Sequence, residues 1–160
     1  MKPIVAASLI ALVGAYASPT AAGCGFPERQ TKAQLESLMP GSLVCGRRIT
    51  IPPGNAADRW QEEHLGAAPG GDLWDYKMGP NDKIDPRKKV GTWAIVESPA
   101  GSGQAIMRYV YSPNHIYEYT VHVIPPTANN AYSFCIRNGN ELVRAFITKG
   151  LGPCAGYPAP

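Results

Sequence analysis

Residues 104–124 read Q-A-I-M-R-Y-V-Y-S-P-N-H-I-Y-E-Y-T-V-H-V-I. Two runs rich in β-branched and aromatic residues flank Ser112-Pro113-Asn114. Proline presets φ and asparagine tolerates positive φ, so the tripeptide reverses the chain and the two runs pair antiparallel. The stretch predicts strands over 104–111 and 116–124, and the same grammar extends outward from it. Segments 42–51, 59–65, 72–78, 90–96, 131–136 and 141–148 are likewise β-branched and aromatic. They are bounded by turn chemistry such as P-P-G-N at 52–55, P-G-G at 69–71 and R-N-G-N at 137–140. Gly101-Ser102-Gly103 joins two such segments rather than opening a helix, which makes it a hairpin loop and not a phosphate cradle. With no helical crossover available, a parallel sheet is excluded. The predicted architecture is mainly β, a small antiparallel up-and-down meander of about eight strands closed or nearly closed into a barrel. A two-sheet sandwich is the alternative.

One short N-terminal helix is expected over 31–39. Thr31 can cap, Gln34 falls three residues later as in a capping box, and Leu35, Leu38 and Met39 share a face before Pro40-Gly41 ends the run. A chain of 160 residues is the size of one domain, and its 17 glycines and 16 prolines fit a turn-rich fold rather than a disordered one.

Met1-Lys2, the apolar run 4–13 and Ala15-Tyr16-Ala17 have the order of a secretory leader, so residues 1–17 are expected to be a signal peptide and 18–160 a single disulfide-braced β domain. The apolar run is too short for a hydrocarbon core of about 30 Å, so no transmembrane segment is expected. A secreted or periplasmic location follows; lipid anchoring at Cys24, after Ala21-Ala22-Gly23, is the alternative. Four cysteines, Cys24, Cys45, Cys135 and Cys154, follow the leader, and an even number in an oxidising compartment implies two disulfides. Of the three connectivities, Cys24 with Cys45 and Cys135 with Cys154 is favoured because each closes a local loop. No zinc spacing is present.

The 15 basic and 12 acidic side chains differ too little to argue for nucleic acid. Residues 79–89, G-P-N-D-K-I-D-P-R-K-K, read as an exposed loop, with Arg87-Lys88-Lys89 a solvated cluster, and the tail from 151 reads as extended and pinned only at Cys154. A monomer is expected.

The quoted pieces G-S-L-V-C at 41–45, W-Q-E-E-H at 60–64, D-Y-K-M-G-P at 75–80, V-G-T-W at 90–93 and Y-S-F-C at 132–135 carry a resemblance over most of the mature chain. The chain resembles a family of small secreted bacterial proteins with no assigned function, which implies an address but no activity. It is also weakly similar to lipocalin-like and avidin-like barrels, in which Gly-X-Trp opens the first strand after a short helix. Here Gly91-Thr92-Trp93 falls on the fourth predicted strand, so no ligand site carries over.

A period of two places Trp60, Glu62 and His64 on one face of their strand. It likewise groups Trp74, Tyr76 and Met78 against Leu73, Asp75 and Lys77, and Tyr117, Tyr119 and Val121 against Glu118, Thr120 and His122. Aromatic rings mixed with a few polar groups are what a ligand-binding lumen contains, and Trp60, Glu62, His64, Trp74, Tyr76 and Tyr119 are the candidate ligand-binding residues. The alternative is that the rings pack the core and the polar groups form solvated cross-strand pairs. If Glu62 and His64 turn inward, a buried charge needs a partner such as Lys77 or Arg108.

No Gly-X-Ser-X-Gly occurs, and all four cysteines are expected to be oxidised, so no catalytic residue is assigned. A metal would need Glu62, His64 and His122 or Glu118 to meet in space, and neither a metal nor a cofactor is expected. The leading expectation is a non-enzymatic binding protein for an unknown small molecule or secreted protein. An inhibitor of a secreted hydrolase acting through the 79–89 loop is second, and an enzyme built on Glu62, His64 and Asp75 is third.

Overall fold

The computed structural model describes residue 24 and residues 29–50, 59–75, 87–124, 131–136 and 140–158. The expected leader, Tyr76, Lys77 and residues 79–86 of the expected loop lie outside them. Among the described residues the chain runs α1 (Lys32–Leu38), β1 (Ser42–Arg48), β2 (Arg59–Ala67), β3 (Gly70–Asp75), β4 (Lys88–Glu97), β5 (Ala105–Ser112), β6 (His115–Val123), β7 (Ala131–Cys135) and β8 (Glu141–Lys149). Each strand pairs antiparallel with the next, and β1 closes the barrel on β8 from Ser42↔Lys149 to Arg48↔Val143. The predicted closed meander is the fold, and the sandwich is excluded.

The alternation of side chains sorts them between lumen and outer wall. Val44, Leu73, Trp93, Ile95, Met107, Tyr109, Val121, Phe134 and Ile147 form one buried cluster inside the barrel. The helix covers one end and contributes Leu35 and Met39, both fully buried, to that cluster. Its capping box is formed as expected: Thr31 N–H donates to Gln34 Oε1 at 2.8 Å, and Gln34 N–H donates to Thr31 Oγ1 at 3.3 Å. Gly41, at φ +65°, turns the chain from helix to β1, a conformation that disfavours any side chain. Lys149 then donates to the carbonyls of Ser37 and Pro40, satisfying acceptors at the helix end. The strand ends at Arg48, Asp75, His115 and Glu141 lie at the opposite end, away from the helix.

Several expectations are corrected. Both disulfides are long-range: Cys24 pairs with Cys135 and Cys45 with Cys154, over 111 and 109 residues. Local pairing fails because Cys45 and Cys135 sit on outer faces of strands that the two chain ends cross. The tail is held at more than its cysteine: Gly152 N–H donates to Glu63 Oε1 at 2.7 Å, Cys154 N–H donates to Gln61 Oε1 at 2.8 Å, and Arg59 lies over the Tyr157 ring. This strap buries Gln61 and Glu63 on the outer face of β2. Lys88 and Lys89 begin β4 rather than extending a loop, Lys89 pairs with Asp72, and Arg87 makes an ion pair with Glu63.

Strands β2 and β3 approach closely at their hairpin, where a Cβ on Gly71 would stand 1.9 Å from the Leu65 carbonyl oxygen. Backbone cannot swing away as a flexible side chain can. Gly71→Ala is therefore expected to cost about 3 kcal/mol, the upper part of the overpacking range. A thermal melt should show a midpoint roughly 5–10 °C lower; a change within error would mean that the hairpin opens freely.

Candidate functional site

The end of the barrel away from the helix holds a cavity of about 480 Å³. Trp60 and Glu62 reach it from β2, Asp75 from β3, Tyr111 from β5, and Tyr117 and Tyr119 from β6, with Arg48 and His115 at its strand ends. The convergence follows from register. Tyr109↔Tyr117 and Met107↔Tyr119 are Cα partners across the β5–β6 hairpin, so one face of it carries four tyrosines. Across the lumen, Gly46 is the partner of Trp60, and a Cβ there would meet Trp60 Cε3 at 2.7 Å, so the absent side chain makes room for the indole.

Glu62 is 1% exposed. Its Oε1 accepts from the Tyr111 hydroxyl at 2.5 Å, while its Oε2 is buried without a close hydrogen-bond partner. Burial pushes this carboxyl well above the usual range, and Asp75 adds to the shift; the Tyr111 hydroxyl, the Trp60 indole and Arg48 oppose it without reversing it. Burial therefore favours the neutral form of the group. Burial and the neighbouring Glu62 push the Tyr111 hydroxyl up as well, and burial raises Tyr119 to about 12. Neither Tyr111 nor Tyr119 is a phenolate at neutral pH.

His64 lies below the cavity rather than in its wall. It is fully buried, with Nε2 3.1 Å from the Tyr109 hydroxyl and its ring edge-on to Trp93 and Tyr109 at 5.5 and 5.6 Å. Burial lowers its pKa to about 3, so it is a neutral core imidazole. Tyr109 in turn packs edge-on against Trp60 and Tyr119, forming an aromatic layer between His64 and the cavity.

Of the candidate residues, Trp60, Glu62 and Tyr119 come together in the cavity, with His64 behind them. Trp74 does not join them. It is the Cα partner of Glu63 on the outer wall, and the Arg87 guanidinium lies 4.8 Å from its ring centre. On β3 the inward face belongs to Leu73 and Asp75 instead. Of the expected partners, Lys77 lies outside the described residues and Arg108 lies on the outer wall paired with Glu118, while Glu62 is met by Tyr111. Tyr111 and Tyr117 are absent from the sequence-based candidates. The signal for them is the spacing of Tyr109, Tyr111, Tyr117 and Tyr119 about Ser112-Pro113-Asn114, once the hairpin register is applied to both runs.

Chemically, the cavity offers aromatic surface, one neutral carboxyl with an unfilled oxygen and a second carboxylate, Asp75. The trio of Glu62, His64 and Asp75 is not assembled, because the imidazole stands beneath the wall that holds the two carboxyls. Among the described residues no three His, Cys, Asp or Glu side chains gather to hold a metal, and no helix is long and apolar enough to cross a membrane. The chain matches no protein-family model, no curated protein and no solved structure.

Proposed function

We propose that this chain is a secreted or periplasmic binding protein that holds a small, partly aromatic molecule in the end of its barrel away from the helix. The observation that carries this reading is the 480 Å³ cavity, in which four aromatic rings surround a buried carboxyl with one unfilled oxygen. Sites for small molecules run from about 300 to 1,000 Å³, with mostly apolar walls and a few placed polar groups. A buried polar atom without a partner costs free energy that a ligand placed beside it can recover. Two disulfides favour an oxidising compartment.

Titration with the neutral fluorophore N-phenyl-1-naphthylamine tests the reading. Its emission should rise as it enters the lumen, and Trp60→Ala should weaken binding by about tenfold, the loss of one aromatic wall. Trp74→Ala, on the outer wall, should leave the affinity where it was. Equal behaviour of the two variants would remove the lumen from consideration. Native mass spectrometry of the protein from its own host should show an added mass that disappears on denaturation.

A further inference from the structure

Resting on that reading, we propose that the molecule held in the lumen is an organic ammonium ion, its N–H donating to Oε2 of Glu62 and its carbon frame packed against Trp60 and Tyr119. Three observations select this class. Oε2 is a carboxyl oxygen already stripped of water and lacking a partner, while Oε1 is occupied by Tyr111. The wall around it is aromatic, and the electron-rich faces of Trp and Tyr attract cations. The second acidic group of the cavity, Asp75, carries the same sign of charge.

An anionic ligand would meet both carboxyls and the ring faces, with Arg48, exposed at its strand end, the one Lys or Arg among the described lining residues. A neutral alcohol can reach Oε2 but supplies no charge for it. An ammonium ion with an apolar frame uses every part of the wall.

Proton balance gives the proposal a signature of its own. Among the described residues, Arg48, Asp75, Tyr109, Tyr111 and Tyr119 are the charged or titratable groups that bear on Glu62 from the surrounding strands, and burial outweighs those that oppose it, which favours the protonated form of the free carboxyl. When the ammonium enters, the O–H bond of Glu62 breaks, its proton leaves to solvent, and the carboxylate accepts the ligand N–H. One cation enters and one proton leaves, so no net charge is carried into the barrel. Affinity should rise by up to about tenfold per pH unit while the free carboxyl stays protonated.

The experiment is calorimetric titration with 2-phenylethylamine, 2-phenylethanol and 3-phenylpropanoate, which share a frame and differ in charge, in buffers of different ionisation enthalpy. The amine should bind at least about tenfold tighter than either other probe, as expected for a desolvated cation–π contact plus an ion pair. It should also release close to one proton per molecule bound. In Glu62→Gln, where the amide replaces the acid at nearly the same size, the amine's advantage over the alcohol and the proton release should both vanish. The wild-type comparison stands even if that variant does not fold. An alcohol or acid that matches the amine, or an amine that binds without releasing a proton, overturns the proposal. If none of the three binds while N-phenyl-1-naphthylamine still enters, the ammonium class is wrong and the lumen reading survives; if the fluorophore fails too, both fall.

Discussion

Reduction of both disulfides is expected to lower the thermal midpoint by roughly 15–25 °C, the largest loss available from this chain without touching its core. Closing a loop of about 100 residues removes unfolded-state freedom worth about 4.7 kcal/mol in the chain-entropy account, against about 3 kcal/mol for a short local loop. Both bridges here are of the long kind, at 111 and 109 residues. Their loops overlap from Cys45 to Cys135, so the second bridge constrains a chain already shortened by the first, and the sum falls below twice the single value. About 5–8 kcal/mol together is the expectation. The two bridges should also fail differently. Loss of Cys45–Cys154 frees the strap over β2, exposing Glu63 and Gln61, whereas loss of Cys24–Cys135 frees the segment that precedes the helix. Hydrogen exchange on Cys154→Ala should therefore show opening along the outer face of β2 with the lumen side still protected. Peptide mapping must recover Cys24 joined to Cys135. A midpoint that moves only a few degrees on reduction, or a Cys24–Cys45 peptide, would sink this account.

What could be read in the sequence was what local periodicity controls. Strand after strand shows alternation bounded by Gly, Pro or Asn, and short turns leave adjacent strands little choice but to pair antiparallel. Closure of β1 on β8 and the disulfide partners depend on surfaces about a hundred residues apart, which no window along the chain contains. On β3 the alternation was right but the inward face was not. Trp74 is the larger side chain, yet Leu73 fills the lumen, because Glu63 and Arg87 provide Trp74 with a covered place on the outer wall. The same long-range covering misleads on β2. Gln61 and Glu63 are as buried as Glu62 and His64, not because they face the core but because the tail returns to cover them. Trp60, Glu62 and Tyr119 were legible as lining the lumen because each lies on the inward face of a strand whose alternation is unbroken. The pairing of Glu62 with Tyr111 was not, since it needs the barrel to bring β2 and β5 across the lumen.

Between about pH 4.5 and pH 6.5 the buried lumen groups should leave stability nearly level, with a fall on either side. His64 carries one slope. Its folded pKa of about 3 lies below the ordinary 6.5, so between these values the unfolded chain binds the extra proton and stability drops as pH falls. Glu62 carries the opposite slope. Its folded pKa lies well above 4.5, so above that value the folded chain binds the extra proton and stability drops as pH rises, until the folded carboxyl itself ionises. Each slope is about 1.4 kcal/mol per pH unit, so they cancel where they overlap. Below about pH 4.5 only the imidazole acts, and above about pH 6.5 only the carboxyl. Urea unfolding should show the wild type losing stability as pH rises above 6.5, at up to about 1.4 kcal/mol per pH unit until the folded carboxyl ionises. Glu62→Gln, which cannot ionise, should lose that alkaline fall, and its stability should climb from about pH 3 to pH 6.5 and then level. Surface ion pairs titrate alike in both proteins, so the difference between the two curves isolates the carboxyl. A wild type that is more stable at pH 8 than at pH 6, or a variant whose curve keeps the alkaline fall, would show that Glu62 is not held neutral, and the proton that a bound ammonium must displace would not be there.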